Sequence, residues 1–356
     1  MCDPMEIYQD VIQIQHRNKY PSNSKCGLLE VNTLKQSGLS GCVEIGMELN
    51  SPNVTVVTEF ILVGFQLPKT LEYLLFCVFL MVFLLTLTGN FAIISLVCMD
   101  QRLQTPMYFF LCNLSLLETI FVFTVSPKML ANLISLKKTI SFEGCIIQCY
   151  FYFSLGICEC LLIAVMSFDR YTAVCYPLHY TIIMSKGLCV FLALVCWTGG
   201  FILIFVPVPF LLNLSFCASN LIDHFFCDYA SIIKLSCSKS VTFLMDYEAA
   251  LSLVAMLISL SLSGVSYVYI ISTVLRMHST EGQKKTFFTC ASHITVASIF
   301  YGSSIFMYSL PSKGHLRDLQ KPTALLTLVI IPLLNPFIYT LRNQKFKEVL
   351  KDSLKK

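Results

Sequence analysis

The stretch Met166-Ser-Phe-Asp-Arg-Tyr-Thr-Ala-Val-Cys-Tyr-Pro-Leu-His-Tyr180 decides the fold of this chain. It closes an apolar run that begins near Cys145 with an acid and a base side by side, Asp169 and Arg170. Charge beside hydrocarbon is costly, so such a pair belongs at a membrane face or in a polar bundle interior. Pro177 biases the residue before it out of helix, and the helix should end soon after the pair. The 25 residues from Cys145 to Arg170 would span about 37 Å at 1.5 Å each, enough to join the two faces of a bilayer. One helix therefore carries a cysteine at one surface and an ionised pair at the other.

The rest of the composition agrees. Of 356 residues, 56% are hydrophobic and 13% charged, with a mean hydropathy of +0.71. Soluble domains are nearer a quarter charged, so the chain reads as a polytopic membrane protein. The net charge of +4 is small, and no basic stripe offers a nucleic acid a footprint. Most of the 17 cysteines lie inside apolar runs, where a thiol behaves as a small hydrophobe. No repeated Cys-x-x-Cys spacing points to structural zinc.

Residues 1–46 lack periodicity and a signal-peptide pattern, which suggests a disordered tail or an extension ahead of a start at Met47. Asn53-Val-Thr55 is a glycosylation sequon just before the first apolar run, within an outer segment 1–71. Runs long enough to cross a bilayer occur at 72–98, 106–133, 145–169, 187–210, 243–275, 285–309 and 320–341. The expected architecture is an all-α membrane protein: a seven-transmembrane helix bundle over 72–341, then a tail over 342–356. The tail stretch Asn343-Gln-Lys-Phe-Lys-Glu-Val-Leu-Lys351 reads as a short basic amphipathic helix on membrane lipid.

Seven spans put the chain ends on opposite sides. An inner C-terminus leaves 12 of the 25 Lys and Arg residues inside, and discounting the leader tips the balance that way. The long connection from about 211 to 242 holds Cys217, Cys227 and Cys237, on the same face as Cys145. Four cysteines allow three pairings, and disulfides need an oxidising compartment, so this face should be extracellular.

Polar groups inside the spans need a reason. Asn90, Glu118, Glu159 and Asn335-Pro336 fall in the first, second, third and seventh runs. Intramembrane acids face the bundle interior and mark ion or proton sites, so Glu118 and Glu159 are candidate ligands for a sodium ion. The competing reading keeps one acid protonated and hydrogen-bonded. Pro336 should interrupt the seventh helix and make a hinge. His293, near the inner end of the sixth run, could be a proton sensor or an interhelical hydrogen-bond donor, and the structural role is favoured. Towards the cysteine-bearing ends, Phe153, Gly156, Ile157, Ser252, Met256, Tyr301, Ser304, Ile305 and Tyr308 could share a mostly apolar cavity with a few hydroxyls, the makeup of a small-molecule pocket.

The chain resembles the olfactory (odorant) receptors of the rhodopsin-like G-protein-coupled receptor class. The likeness runs from about Asn53 to Asp352 and rests on five ordered motifs. They are Pro106-Met-Tyr-Phe-Phe-Leu111, the stretch Met166–Cys175 with Ser-Phe where Ala-Tyr is usual, Ser266-Tyr267, Lys285-Thr-Phe-Phe-Thr-Cys-Ala-Ser-His293, and Pro332-Leu-Leu-Asn-Pro-Phe-Ile-Tyr-Thr-Leu-Arg-Asn343. The resemblance implies disulfides Cys145–Cys227 and Cys217–Cys237, and a switch made of Asp169, Arg170, Tyr267, Asn335, Pro336 and Tyr339. His224-Phe-Phe-Cys-Asp228 looks like the terrestrial-type (class II) members. Glu118 stands where many members carry Asp, and the 46-residue leader departs from the family.

By this resemblance the chain is expected to be a plasma-membrane receptor without enzymatic chemistry. It would bind a small organic odorant, need no cofactor beyond a sodium ion, and raise cyclic AMP through a stimulatory olfactory-type G protein. A member sensing a metabolite outside the nose is the nearest alternative. An ion-coupled transporter working through Glu118 and Glu159 would call for paired broken helices in two halves, and only the seventh run carries such a break.

Overall fold

The computed structural model describes residues 57–217, 219–277, 279–309, 320–341, 344–353 and 355; the leader 1–46 and the sequon at Asn53 lie outside them. Residues 51–356 form one compact unit. Seven membrane helices make it up: α1 (Lys69–Met99), α2 (Pro106–Ile134), α3 (Phe142–Cys175), α4 (Lys186–Phe205), α5 (Val241–Leu275), α6 (Thr280–Ser309) and α7. The last is built from Gln320–Leu325, a π-turn at Leu326–Ile330 and Ile331–Leu341. A short α8 comes next, Gln344–Ser353. Six of the seven are long and apolar enough to cross a bilayer outright, and α6 has a shorter apolar core, His293–Phe306.

Local chemistry sets where these helices start and stop. Pro106 occupies the first turn of α2, where its missing N–H costs nothing. The Ser141 and Ser185 hydroxyls accept from the Gly144 and Leu188 N–H groups, capping α3 and α4. The third helix ends at Cys175, two residues short of Pro177, as the proline requires. It packs against α2, α4, α5 and α6, and so forms the axis of the bundle.

Close crossings rely on small residues, as expected where hydrocarbon surrounds the helices and packing rather than water drives association. A Cβ on Gly200 of α4 would sit 2.6 Å from the Ser154 carbonyl of α3 and collide with the Cys158 sulfur. A Cβ on Gly89 would lie 3.0 Å from the Pro336 Cβ, which places α1 hard against α7.

Two features differ from the sequence-based expectation. The break in α7 lies upstream of Pro336, which sits inside a continuous helical segment. Pro332 explains the position: it has no N–H for the Leu328 carbonyl, and its ring crowds the preceding turn. A wider turn relieves this, with the Ile331 N–H reaching the Leu326 carbonyl five residues back. The second feature is a small three-stranded sheet. Strand β1 (Glu59–Leu62) pairs antiparallel with β2 (Thr139–Ser141) and parallel with β3 (Leu221–Ile222). Phe60 and Leu62 alternate inward and are fully buried, so the segment before α1 closes over the core. Lys321 at the start of α7 donates to the Gly64 carbonyl and to Asp223, both at 2.8 Å, and ties the sheet to the bundle.

At the opposite end, Phe346 and Val349 of α8 bury against Ile93, Leu96 and Leu103, while Lys345, Lys347 and Lys351 stay exposed. Arg102 pairs with Asp100 and with Asp352 of α8. The hydrogen bonds that its guanidinium donates to Asp100, and then to Asp352, hold it above the ordinary value.

Candidate functional site

A cavity of about 70 Å³ opens between α2, α3, α5, α6 and α7. Six residues expected to face a common pocket line it: Phe153, Gly156 and Ile157 of α3, Ser252 and Met256 of α5, and Ser304 of α6. Three expected members fall elsewhere. Tyr301 is buried behind the wall, beside Cys160, Ile163 and Phe300, and its hydroxyl meets the hydroxyls of Ser259 and Ser263. Ile305 points outward at 40% exposure. The Tyr308 side chain lies outside the described residues.

Helix geometry accounts for the difference. Residues 300, 301, 304, 305 and 308 form one broad stripe by spacing, and a single residue step turns the helix by about 100°. Packing against α3 and α5 selects the Phe300–Ser304 edge of that stripe. Phe121, Tyr152, Glu159, Cys160, Ala255, Phe300 and Thr327 also line the cavity; the sequence-based pocket set lacks them, with Glu159 expected as a sodium ligand instead. Cys160 was in reach, since it stands four residues after Gly156 on the same face of α3.

The lid above the cavity is held by both disulfides, Cys145–Cys227 and Cys217–Cys237, with Cα separations of 5.4 and 5.7 Å. Gln148 of α3 accepts from the Cys227 N–H at 2.9 Å and donates to the Thr124 carbonyl of α2 at 3.0 Å. Beside the bridge, the His224 ring packs tilted against Phe225 and edge-on against Phe226. Burial, opposed by Asp228, pulls its imidazole down to about 4, so it is neutral at pH 7.

Below the cavity, hydroxyls join three helices. Ser259 of α5 donates to the Cys160 carbonyl of α3 and meets Tyr301 of α6. Tyr301 also reaches Ser263, which accepts at 2.9 Å from Ser167 of α3. Two residues beyond Ser167 lies Asp169, only 1% exposed. Both of its oxygens are occupied. Arg170 donates from Nε at 3.0 Å and from a terminal nitrogen to Oδ2, while the Tyr180 hydroxyl donates to Oδ1 at 2.7 Å. Burial and the Asp169 carboxylate push the Tyr180 hydroxyl well above its ordinary value, which keeps it a donor. No spacing rule points to Tyr180, because its partner lies 11 residues away across a turn. Across the same face Tyr267 of α5 is hydrogen-bonded to Nδ1 of His293 on α6. The Tyr339 side chain is outside the described residues.

Midway through the bundle, Asn335 donates to Glu118. Glu118 and Glu159 are 1% and 5% exposed, and Asn90 is fully buried. The Asn90 Oδ1, Glu118 Oε2 and Glu159 Oε1 atoms have no hydrogen-bond partner. Among the described residues no cluster of three His, Cys, Asp or Glu side chains could hold a metal ion.

Comparison with known proteins agrees with this layout. The olfactory receptor family model matches residues 77–356. Human olfactory receptor 6J1 is 49% identical over 297 residues, 83% of this chain and 85% of that protein. Human olfactory receptor 6C3 is 46% identical over 305 residues, 85% and 97% of the two chains. The fold aligns with squid rhodopsin at a TM-score of 0.64 and 17% identity, over 81% of this chain and 82% of the other. With seven membrane helices, a cavity between them, an acid–arginine pair and this degree of likeness along its length, the chain belongs to the olfactory receptor family of G-protein-coupled receptors.

Proposed function

We propose that the chain is an odorant receptor of the plasma membrane that binds a small, mostly apolar organic molecule and raises cyclic AMP through a stimulatory olfactory-type G protein. The observation that carries the reading is the interhelical cavity and the hydroxyl chain that leaves it. Cys160 lines the cavity, its carbonyl accepts from Ser259, and Tyr301, Ser263 and Ser167 continue the chain to the turn that bears Asp169 and Arg170. A ligand that moves α6 against α3 disturbs this chain. Ligands act on such a bundle by binding one of two arrangements better than the other. In the resting arrangement Asp169 holds Arg170, and Tyr267 is engaged with His293. In the signalling arrangement Arg170 and Tyr267 turn to the G protein.

The same reading sets the orientation. Disulfides persist in an oxidising compartment, so the face of Cys145 and Cys227 is extracellular, with Asn53 glycosylated there. The basic, amphipathic α8 then lies on the anionic inner leaflet. Asn90, Glu118 and Glu159 supply three oxygens without partners, suited to a sodium ion, a hard cation that takes oxygen ligands. Such an ion would neutralise buried carboxylates and favour the resting arrangement.

The test is a panel of odorants applied to cells expressing the receptor, with cyclic AMP and surface level both measured. At least one compound should raise cyclic AMP in a saturable way. Compounds that bind at the surface yet leave cyclic AMP flat, while moving another second messenger, would contradict the assigned G protein.

A further inference from the structure

The main cavity shares a wall with a second, smaller one. Phe153 lines both. The second has a volume of about 10 Å³ and lies among α3, α4, α5 and the segments between α4 and α5. That is room for roughly one water molecule or one ammonium group. Its walls are mostly apolar, with Ile204, Leu211 and Leu251 among them, and two of its polar groups stand out.

Tyr229 is 4% exposed, and its hydroxyl oxygen has no hydrogen-bond partner. Glu248, half-buried on α5, takes part in none of the ion pairs among the described residues. The other polar groups nearby are committed. The Tyr247 hydroxyl donates to the Leu203 carbonyl at 2.9 Å. The Asp228 carboxylate accepts from the Ser231 N–H and hydroxyl, both at 3.1 Å. The chamber thus presents two acceptors, one of them a carboxyl, set in an apolar wall, with no cation among its lining residues. A carboxylate in such surroundings is costly until a positive partner arrives. An ammonium group brings the charge and three donors.

Position on α5 links this acid to the main cavity. Glu248 and Ser252 are four residues apart and so lie on one face of the helix, one turn from each other. Glu248 lines the small chamber, and Ser252 lines the large one. A molecule with a compact cationic head and a hydrocarbon body fits the pair, the head beyond Phe153 and the body against Gly156 and Met256.

We propose that this receptor selects primary aliphatic amines, with the ammonium group held by Glu248 and the Tyr229 hydroxyl and the alkyl chain passing Phe153 into the main cavity. The proposal rests on the reading of that cavity as the ligand site. It excludes a neutral alcohol of equal length as the preferred ligand, because a hydroxyl gives one donor and leaves the carboxylate uncompensated.

The test uses the purified full-length receptor and its thermal unfolding midpoint, titrated with 1-hexylamine and with 1-hexanol. Wild type should be stabilised by the amine at a concentration at least about tenfold below that needed for the alcohol, since charge-assisted hydrogen bonds exceed neutral ones by that order. Glu248→Gln should abolish the preference while shifting the alcohol titration less than about threefold. Should Glu248→Gln not purify, Tyr229→Phe removes only an oxygen and should weaken the amine titration by about threefold to tenfold. Equal titrations in wild type, or an amine preference that survives Glu248→Gln, would overturn the proposal. Stabilisation by hexanol that a cavity-filling Gly156→Leu removes, with no amine preference in wild type, would overturn the amine assignment and leave the main cavity as the ligand site. Stabilisation by neither compound, nor by any neutral odorant, would overturn both.

Discussion

Cys145→Ala and Cys227→Ala are each expected to remove the receptor from the cell surface. Both residues are fully buried, and their bridge spans 82 residues of chain, from the start of α3 to the lid over the cavity. Loss of a native disulfide typically costs about 2–5 kcal/mol, which is a large share of the ~5–15 kcal/mol that holds a domain folded. The Cys227 N–H is also bonded to Gln148, so a loosened lid frees a polar group of α3 as well. Surface staining of each single mutant and of the double mutant checks this. A double mutant clearly worse than either single would show that the two are not partners. The Cys217–Cys237 bridge spans only 20 residues. Ser215 accepts there from the Ser236 hydroxyl and the Cys237 N–H, so its loss should be milder.

Arg170→Ala is expected to abolish cyclic AMP signalling while ligand affinity stays within about threefold. The guanidinium lies below the hydroxyl chain, bonded to Asp169, and lines neither cavity. On the proposed reading its loss removes a contact to the G protein without altering the ligand's walls, so the effect belongs to the switched state alone. Binding and cyclic AMP assays at matched surface level separate the two quantities. Normal signalling by Arg170→Ala would remove this residue from the switch.

How far the sequence leads depends on which force decides each feature. The seven helices, the end of α3 near Pro177 and the α8 amphipathic pattern are all legible, because bilayer thickness and proline chemistry act locally. The strands are not. The alternation in Thr58-Glu59-Phe60-Ile61-Leu62-Val63 is short, and β1 exists only because β2 and β3 come to it from distant parts of the chain. The cavity is half legible for a related reason. Spacing defines the stripe on a helix, whereas the neighbouring helices choose which edge of it turns inward. That is why Ser304 lines the cavity and Tyr301, three residues earlier, sits in a hydroxyl cluster instead. The proline break moved for a reason present in the sequence, since Pro332 and Pro336 both remove donors and only packing shows where the helix widens.

Gly156 offers the most direct test of the central claim, that a small organic ligand enters the α3–α5–α6 cavity and works the Asp169–Arg170 face from there. Nothing lies within 4 Å of where its Cβ would be, so the chain tolerates a side chain at this point and only the cavity changes. Gly156→Ala should keep the odorant response. Gly156→Leu projects into a space of about 70 Å³ and should raise the half-maximal odorant concentration at least about tenfold at equal surface level. A Gly156→Leu receptor with the wild-type dose–response curve would place the ligand outside this cavity and contradict the account.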